Sequence, residues 1–181
     1  MATSPPSGSS PAPFIVTAEL PADLFRWADG LRRRYFPPER NVLAAHVTLF
    51  HSFAPSLREE LPRVLGRYAG EFAPPEARLD GLMDLGSGTA LSLRCAGMLA
   101  VREAIAEHFH GALTAQDRHP PRLHITIQNK VERATARALQ AELGPTLLPR
   151  DFRFSGLGLH IYRVTHWEPL GIWPFRGKER A

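Results

Sequence analysis

The sequence predicts two similar lobes, each mixing helices with strands, arranged as a pseudo-twofold pair around a cleft. Three observations lead there. One short pattern occurs twice, as His46-Val47-Thr48-Leu49 and as His124-Ile125-Thr126-Ile127. Each copy lies in an apolar, β-branched run of the kind that forms a half-buried strand. The order strand, helix, loop, strand, helix also recurs around both copies. The opening strand starts 32 residues before its histidine in the first half (46 − 14) and 34 before it in the second (124 − 90). Two copies are too few to stack as a solenoid, so they are expected to enclose a cleft between them.

Residues 1–13 are mostly Ser, Pro, Ala and Gly, with too few apolar side chains to offset the entropy of ordering, and read as a disordered leader. Residues 14–175 form the single bilobal domain and 176–181 a short tail. A strand is expected over 14–20, followed by a helix over 21–35 with Leu24, Trp27, Ala28 and Leu31 on its apolar face. Pro37-Pro38 ends that helix. The first motif strand covers 46–50, and a helix over 56–68 opens at Ser56, which stands in capping-box spacing to Glu59. Pro74-Pro75 breaks the chain before a strand over 78–85 and the loop Gly86-Ser87-Gly88. A strand over 90–95 and a helix over 99–113, with Val101, Ile105, Phe109 and Leu113 at four-residue steps, start the second half. The loop His119-Pro120-Pro121 leads to the second motif strand at 123–128, a helix at 132–143, and strands around 152–162 and 168–175.

Composition sets outer bounds. In 181 residues, 44% are hydrophobic and 22% charged, ordinary values for a globular chain that can bury a solid core. The one cysteine, Cys95, excludes an internal disulfide framework and fits a reducing compartment. The opening residues lack the basic and apolar regions of a signal peptide, and no apolar run approaches the ~20 residues of a membrane span. A cytoplasmic monomer with no membrane partner is therefore expected. Net charge is +4, and 20 of the 22 basic residues are arginines. Guanidinium groups suit bidentate phosphate binding, but a chain rich in Ala, Leu and Pro carries arginine for compositional reasons too, so the bias alone decides little.

The repeated pattern carries the chemistry. Residues two apart on a strand point to the same face, so His46 with Thr48, and His124 with Thr126, share a face opposite Val47, Leu49, Ile125 and Ile127. Two facing imidazoles, each with a hydroxyl beside it, suit acid–base work on a phosphate diester. One imidazole takes a proton from the attacking oxygen and the other gives one to the leaving oxygen, since a pKa near ~6.5 keeps both forms accessible. Thr48 and Thr126 hydroxyls donate to the non-bridging oxygens, where charge grows in the transition state. The histidines lack zinc-ligand spacing and Cys95 is alone, so no metal and no cofactor are expected.

With those residues in view, the chain resembles the 2H phosphoesterase superfamily, and within it the bacterial 2′-5′ RNA ligase and RNA 2′,3′-cyclic phosphodiesterase branch. The resemblance rests on the two motifs, 78 residues apart (124 − 46), in the stretches HVTLFHSF and RLHITIQNKV. It implies an α+β, bilobal, duplicated fold: two antiparallel sheets with outer helices and a central cleft carrying the two His-x-Thr strands. It implies metal-independent hydrolysis of 2′,3′-cyclic phosphate on RNA ends or nucleotides, commonly to the 2′-phosphate, with 2′-5′ ligation as a further family activity. Carried across, His46 and His124 are the acid–base pair and Thr48 and Thr126 the phosphate donors. By the family's habit His124 is the base and His46 the acid.

Other readings stay open at this stage. The same site serves another small cyclic or 2′-5′-linked nucleotide, or a nucleotide- or RNA-binding module without turnover. Arg122, two before His124, is a candidate substrate contact if the strand extends that far, and a surface arginine otherwise. Tyr162 is a second candidate, on a late strand where the family often places an aromatic. Phe36, Trp167 and Trp173 are stacking candidates for a base, or simply core aromatics. His51 reads as a neighbour of the first motif or a strand end, His108 and His110 as helix-end cations, and His119, His160 and His166 as histidines without a partner motif.

Overall fold

Alternation along the strands decides which way each sheet faces. The computed structural model describes residues 12–178; most of the expected leader and the end of the expected tail lie outside the described residues. The chain runs β1 (Phe14–Glu19), α1 (Ala22–Tyr35), β2 (Val47–Phe53), α2 (Glu60–Glu71), β3 (Glu76–Asp84), β4 (Thr89–Arg94), α3 (Ala96–His108), β5 (His124–Gln128), α4 (Arg133–Leu143), β6 (Arg150–Arg153), β7 (Gly156–Tyr162) and β8 (Trp167–Pro174). Two four-stranded antiparallel sheets result, in the orders β2-β1-β7-β8 and β5-β4-β3-β6. The fold is α+β, with four helices among the described residues.

The two sheets match strand for strand, β2 with β5, β1 with β4, β7 with β3 and β8 with β6. The path between them is not two separate halves. After β6 the chain crosses back, so β7 and β8 complete the first sheet although they end the sequence. Phe14, Val16 and Ala18 of β1, with Leu157, Leu159 and Ile161 of β7, turn into an apolar core shared with Leu91, Leu93, Ile125 and Ile127 of the second sheet. The opposite face of β1 carries Ile15, Thr17 and Glu19. Helix α1 lies against β5 of the other sheet, so the lobes are tied together rather than hinged on a linker.

Three local details differ from the sequence reading. Helix α2 begins at Glu60, and Ser56 lies in a single 3₁₀ turn over Pro55–Leu57 that leaves no side-chain cap at the helix start. Pro55 favours such a tight turn ahead of the helix. Helix α3 starts earlier than expected, because the Cys95 thiol acts as its N-cap: Sγ accepts from Met98 N–H at 3.2 Å and donates to the Glu76 carbonyl at 3.1 Å. Burial pushes that thiol's pKa up, so Cys95 is a structural residue here. On α1 the deeply buried residues are Leu24, Ala28, Asp29 and Arg32, while Trp27 is 38% exposed. The expected face is rotated toward two charged residues because these find backbone partners in the cleft, which lets them be buried. At the C-terminal end, Arg176 N–H and Gly177 N–H donate to the Ala69 and Phe72 carbonyls.

Candidate active site

β2 and β5 are the terminal strands of their sheets and lie against each other, which brings the two motifs together. His46 stands immediately before β2, and His124 opens β5. Both imidazoles are held alike. His46 Nδ1 lies 2.8 Å from the Ala44 carbonyl, and His124 Nδ1 lies 2.6 Å from the Arg122 carbonyl, in each case two residues upstream. A carbonyl only accepts, so each Nδ1 must carry its proton. The neutral ring therefore presents a bare Nε2, and the charged ring a donating Nε2–H. Thr48 and Thr126 are half-buried, and their hydroxyls have no hydrogen-bond partner among the described residues.

The residue pairing repeats as well. Thr48 pairs with Thr17, and the register then slips so that Phe50 faces Val16, leaving Leu49 as an extra residue. Thr126 pairs with Ala90, and the register slips so that Gln128 faces Thr89, leaving Ile127 extra. Each motif threonine is thus followed directly by a β-bulge, which twists the strand end and buries two consecutive residues, Leu49 with Phe50 and Ile127 with Gln128.

Buried charge is also arranged around the motifs. Among the described residues the buried charged side chains are Asp29, Arg32, Arg102 and Asp117. Arg32 Nε donates to the Leu43 carbonyl (2.8 Å) and Asn41 Oδ1 (2.7 Å), while Nη1 donates to the Thr126 carbonyl (2.9 Å). Asp29 Oδ1 accepts from Ala45 N–H at 2.9 Å, and Asp29 also pairs with Arg33 at 2.7 Å. One helix thus fixes the loop before His46 and touches the backbone of the second motif. In the second lobe, Arg102 donates to the Asp117 and His119 carbonyls ahead of His124, and its guanidinium lies 4.5 Å from the Phe50 ring centre. Asp117 in turn accepts from the backbone N–H groups of His51 and Ser52 and pairs with His51 Nδ1 at 3.0 Å. His51 therefore serves the loop of the other motif.

Electrostatically the site disfavours positive charge on His46. Burial pushes its pKa down to about 4, opposed by the Ala44 carbonyl and reinforced by Arg32, His160 and His124. Burial also lowers Arg32 to about 10, with Asp29 opposing, so the guanidinium stays charged at neutral pH. Beside His46 stands a third histidine that the sequence did not single out. His160 of β7 has its pKa lowered by burial, with Glu19 opposing. Its Nε2 lies 3.0 Å from Thr17 Oγ1, which donates to Glu19 Oε1 at 2.8 Å. Trp167 sits between the two imidazoles, 4.5 Å from the His46 ring and 5.8 Å from the His160 ring. A cavity of ≈ 700 Å³ opens there, lined by His46, His160, Trp167, Thr17 and Glu19 among others.

The remaining candidates are placed as follows. Arg122 is exposed and precedes β5, so the strand does not extend to it; its recorded contact at the site is its carbonyl, on His124. Tyr162 ends β7 and is 45% exposed. Of the three aromatics, Trp167 stands at the site; Phe36 is buried under the Arg32 guanidinium (4.3 Å), and Trp173 packs against the core near Gly66. Arg32 and Asp29 escaped notice because their helix was read for its apolar stripe. A usable signal for His160 lay in β7 itself, where Gly156, Gly158 and His160 alternate with Leu157, Leu159 and Ile161 and so share the face away from the core.

Two four-stranded sheets related by a pseudo-twofold, each presenting a His-x-Thr pair on its inner edge strand, define the two-histidine phosphoesterase architecture. The chain belongs to the 2′-5′ RNA ligase superfamily, whose family model matches residues 20–166. As a member it is an enzyme of phosphoesterase or RNA-ligase type. Solved structures share the fold at low sequence identity. TT0787 of Thermus thermophilus is 16% identical, with a TM-score of 0.66, over 92% of this chain and 100% of that one. Escherichia coli LigT complexed with 3′-AMP is 19% identical, with a TM-score of 0.61, over 92% and 99%. No curated protein matches the chain in sequence. Among the described residues no helix is long and apolar enough to cross a membrane, and no three His, Cys, Asp or Glu side chains gather as a metal centre would require.

Proposed function

We propose that the chain hydrolyses a 2′,3′-cyclic phosphate, on a nucleotide or an RNA end, to the 2′-phosphate. The observation that carries this reading is the matched anchoring of His46 and His124, which leaves both Nε2 atoms for a substrate beside two unpartnered threonine hydroxyls. A binding module has no use for two imidazoles fixed in the same tautomer. That LigT was crystallised with 3′-AMP supports a nucleotide as the ligand class.

In the reaction, water attacks phosphorus and loses a proton to one Nε2. The P–O3′ bond breaks, and the 3′ oxygen takes a proton from the other Nε2–H. Thr48 and Thr126 donate to the non-bridging oxygens as negative charge builds on them. The same steps with an RNA 5′-hydroxyl in place of water form a 2′-5′ linkage: the 5′ oxygen attacks phosphorus, its proton goes to one Nε2, and the released 3′ oxygen takes a proton from the other, so ligation requires no further acid or base.

The division of labour has two readings. The resemblance makes His124 the base and His46 the acid. The lowered pKa of His46 favours the opposite, because an imidazole that burial holds neutral is already a base. For His46 to act as the acid, the anionic phosphate beside it must first raise its pKa.

The test is incubation of the purified protein, in EDTA, with the four nucleoside 2′,3′-cyclic monophosphates and a cyclic-ended oligonucleotide. The 2′-phosphate is the expected product. Formation of 3′-phosphate, or turnover that requires added metal, would overturn the reading. No turnover of any of the five by a folded protein would remove the cyclic-phosphate substrate.

A further inference from the structure

The two lobes are alike in backbone but not in chemistry. In the first sheet Thr17 pairs with Thr48 on one side and with Gly158 on the other. In the second, the matching residue Ala90 pairs with Thr126 and Met83. Where the second lobe has Ser92 opposite His124, the first has Glu19, next after the Ala18–Val47 pair. The first lobe alone therefore carries an acid, a hydroxyl and an imidazole in a line, beside the same motif that the second lobe also has.

That line has a defined polarity. Thr17 gives its single hydroxyl proton to Glu19, so Oγ1 is the acceptor for His160 Nε2–H. Burial keeps His160 neutral, and its Nδ1 is then a bare acceptor without a partner among the described residues. Glu19 Oε2 is likewise without a recorded partner there. Gly158 is required for this arrangement, because a Cβ at that position would overlap both Glu19 Oε1 and Thr17 Oγ1. The wall ends in two acceptors, flanked by the Trp167 ring and the apolar side chains of Phe25 and Val42. None of the described residues lining the cavity is a lysine or arginine.

A wall of acceptors around a carboxylate, without a cation, repels phosphate. It suits an uncharged planar group that offers N–H donors. We propose that Glu19, Thr17, His160 and Trp167 form a base-recognition subsite selecting the amino-bearing bases adenine, cytosine and guanine over uracil. The proposal rests on the cyclic-phosphate reading, with the phosphate between the motifs and the nucleoside on the His46 side. Trp167 offers its face for stacking, and the exocyclic amine or the guanine N–H edge donates to Glu19 or to His160 Nδ1. Uracil has a single N–H on that edge, N3–H, flanked by two carbonyl oxygens, so donating to one acceptor turns O2 and O4 toward the others and leaves one of them unpaired.

Two measurements test this. The first compares kcat/KM for the four 2′,3′-cyclic nucleotides in wild type, Glu19→Gln and Thr17→Val. Wild type is expected to favour A, C and G over U by about 10-fold or more. Glu19→Gln, whose amide also donates, should reduce that preference to about 3-fold or less, chiefly through KM. Equal values for all four in wild type, or an undiminished preference in both folded variants, would overturn the proposal. The second measures binding of adenosine, cytidine, guanosine and uridine by calorimetry. These carry no phosphate, so the result stands even if no cyclic phosphate is turned over. Tighter binding of the three amino-bearing nucleosides supports the subsite, and equal binding of all four, or none, refutes it. Should neither variant fold, the wild-type comparisons decide alone.

Discussion

Thr48 and Thr126 occupy one position in two different sheets, each the last residue before a bulge that inserts one extra residue into an inner edge strand. The bulge lets the strand keep its threonine on the cleft face while Leu49 with Phe50, and Ile127 with Gln128, are buried immediately behind it. A local irregularity preserved in both lobes gives the two hydroxyls the same place in their sheets. Under the proposed reading the two threonines act on the phosphate as equals.

Thr48→Ala and Thr126→Ala are each expected to lower kcat by roughly 10–10³-fold, the effect of removing one transition-state donor. Since both hydroxyls are unpartnered in the free protein, neither change removes a hydrogen bond recorded in the fold. The unfolding midpoint should move little. Steady-state kinetics beside a urea titration would check this; a full-activity variant at either position would contradict the donor role.

His46→Ala and His124→Ala should each reduce turnover of a cyclic nucleotide by ~10²-fold or more. A nucleoside p-nitrophenyl phosphodiester separates their roles, because p-nitrophenolate leaves without needing a proton. The variant lacking the acid should recover most of its deficit on that substrate, and the variant lacking the base should not. Recovery in His124→Ala would establish His46 as the base, in line with its lowered pKa. Recovery in His46→Ala would establish the assignment drawn from the family resemblance.

Much of the architecture was legible because it is written in short-range alternation and in repetition. Leu157, Leu159 and Ile161 announce a strand with one buried face, and the two His-x-Thr strands announce a duplicated lobe. The return of β7 and β8 to the first sheet was not legible, since nothing in their residues states which lobe they join. Nor were the buried charges. Arg32 and Asp29 look like solvent-facing residues on an amphipathic helix until the partners of their polar atoms, the backbones of Leu43, Ala45 and Thr126, are brought beside them. His160 needed Thr17 and Glu19 from a strand more than 140 residues away before it had any partner at all.

The burial of His46 also ties stability to pH. Its folded pKa of about 4 lies below the ordinary 6.5, so the unfolded chain binds the proton more readily. The contribution is fully present above 6.5 and is lost as pH falls from there toward 4. The gap corresponds to at most about 3 kcal/mol. His160, also lowered, acts in the same direction, whereas Asp117 adds its loss only below the carboxylate range. Urea titrations between pH 7.5 and about 4.5 should show stability falling in acid, with a shallower fall in His46→Gln. An identical slope in the variant would mean that His46 is not held neutral.

Arg32 is expected to act as a positioning residue: its hydrogen bonds go to protein groups and join the loop before His46 to the Thr126 carbonyl through a fork that lysine cannot reproduce. Arg32→Met leaves three acceptors without their donor, while Asp29 keeps its pair with Arg33, and should cost about 1–3 kcal/mol of stability. Arg32→Lys keeps the charge but loses the fork. Misplacement of a reacting group by about 1 Å costs on the order of 10²-fold, so folded Arg32→Lys should lose at least about 10-fold in kcat with little change in KM. A purely structural role predicts unchanged kcat once the protein is folded. An NMR titration supplies a second readout: Arg32 depresses the His46 pKa through space, so in Arg32→Met that pKa should rise from about 4, and in Arg32→Lys it should rise less. Coincident His46 titrations in all three proteins, together with wild-type kcat in Arg32→Lys, would remove Arg32 from the working parts of the site.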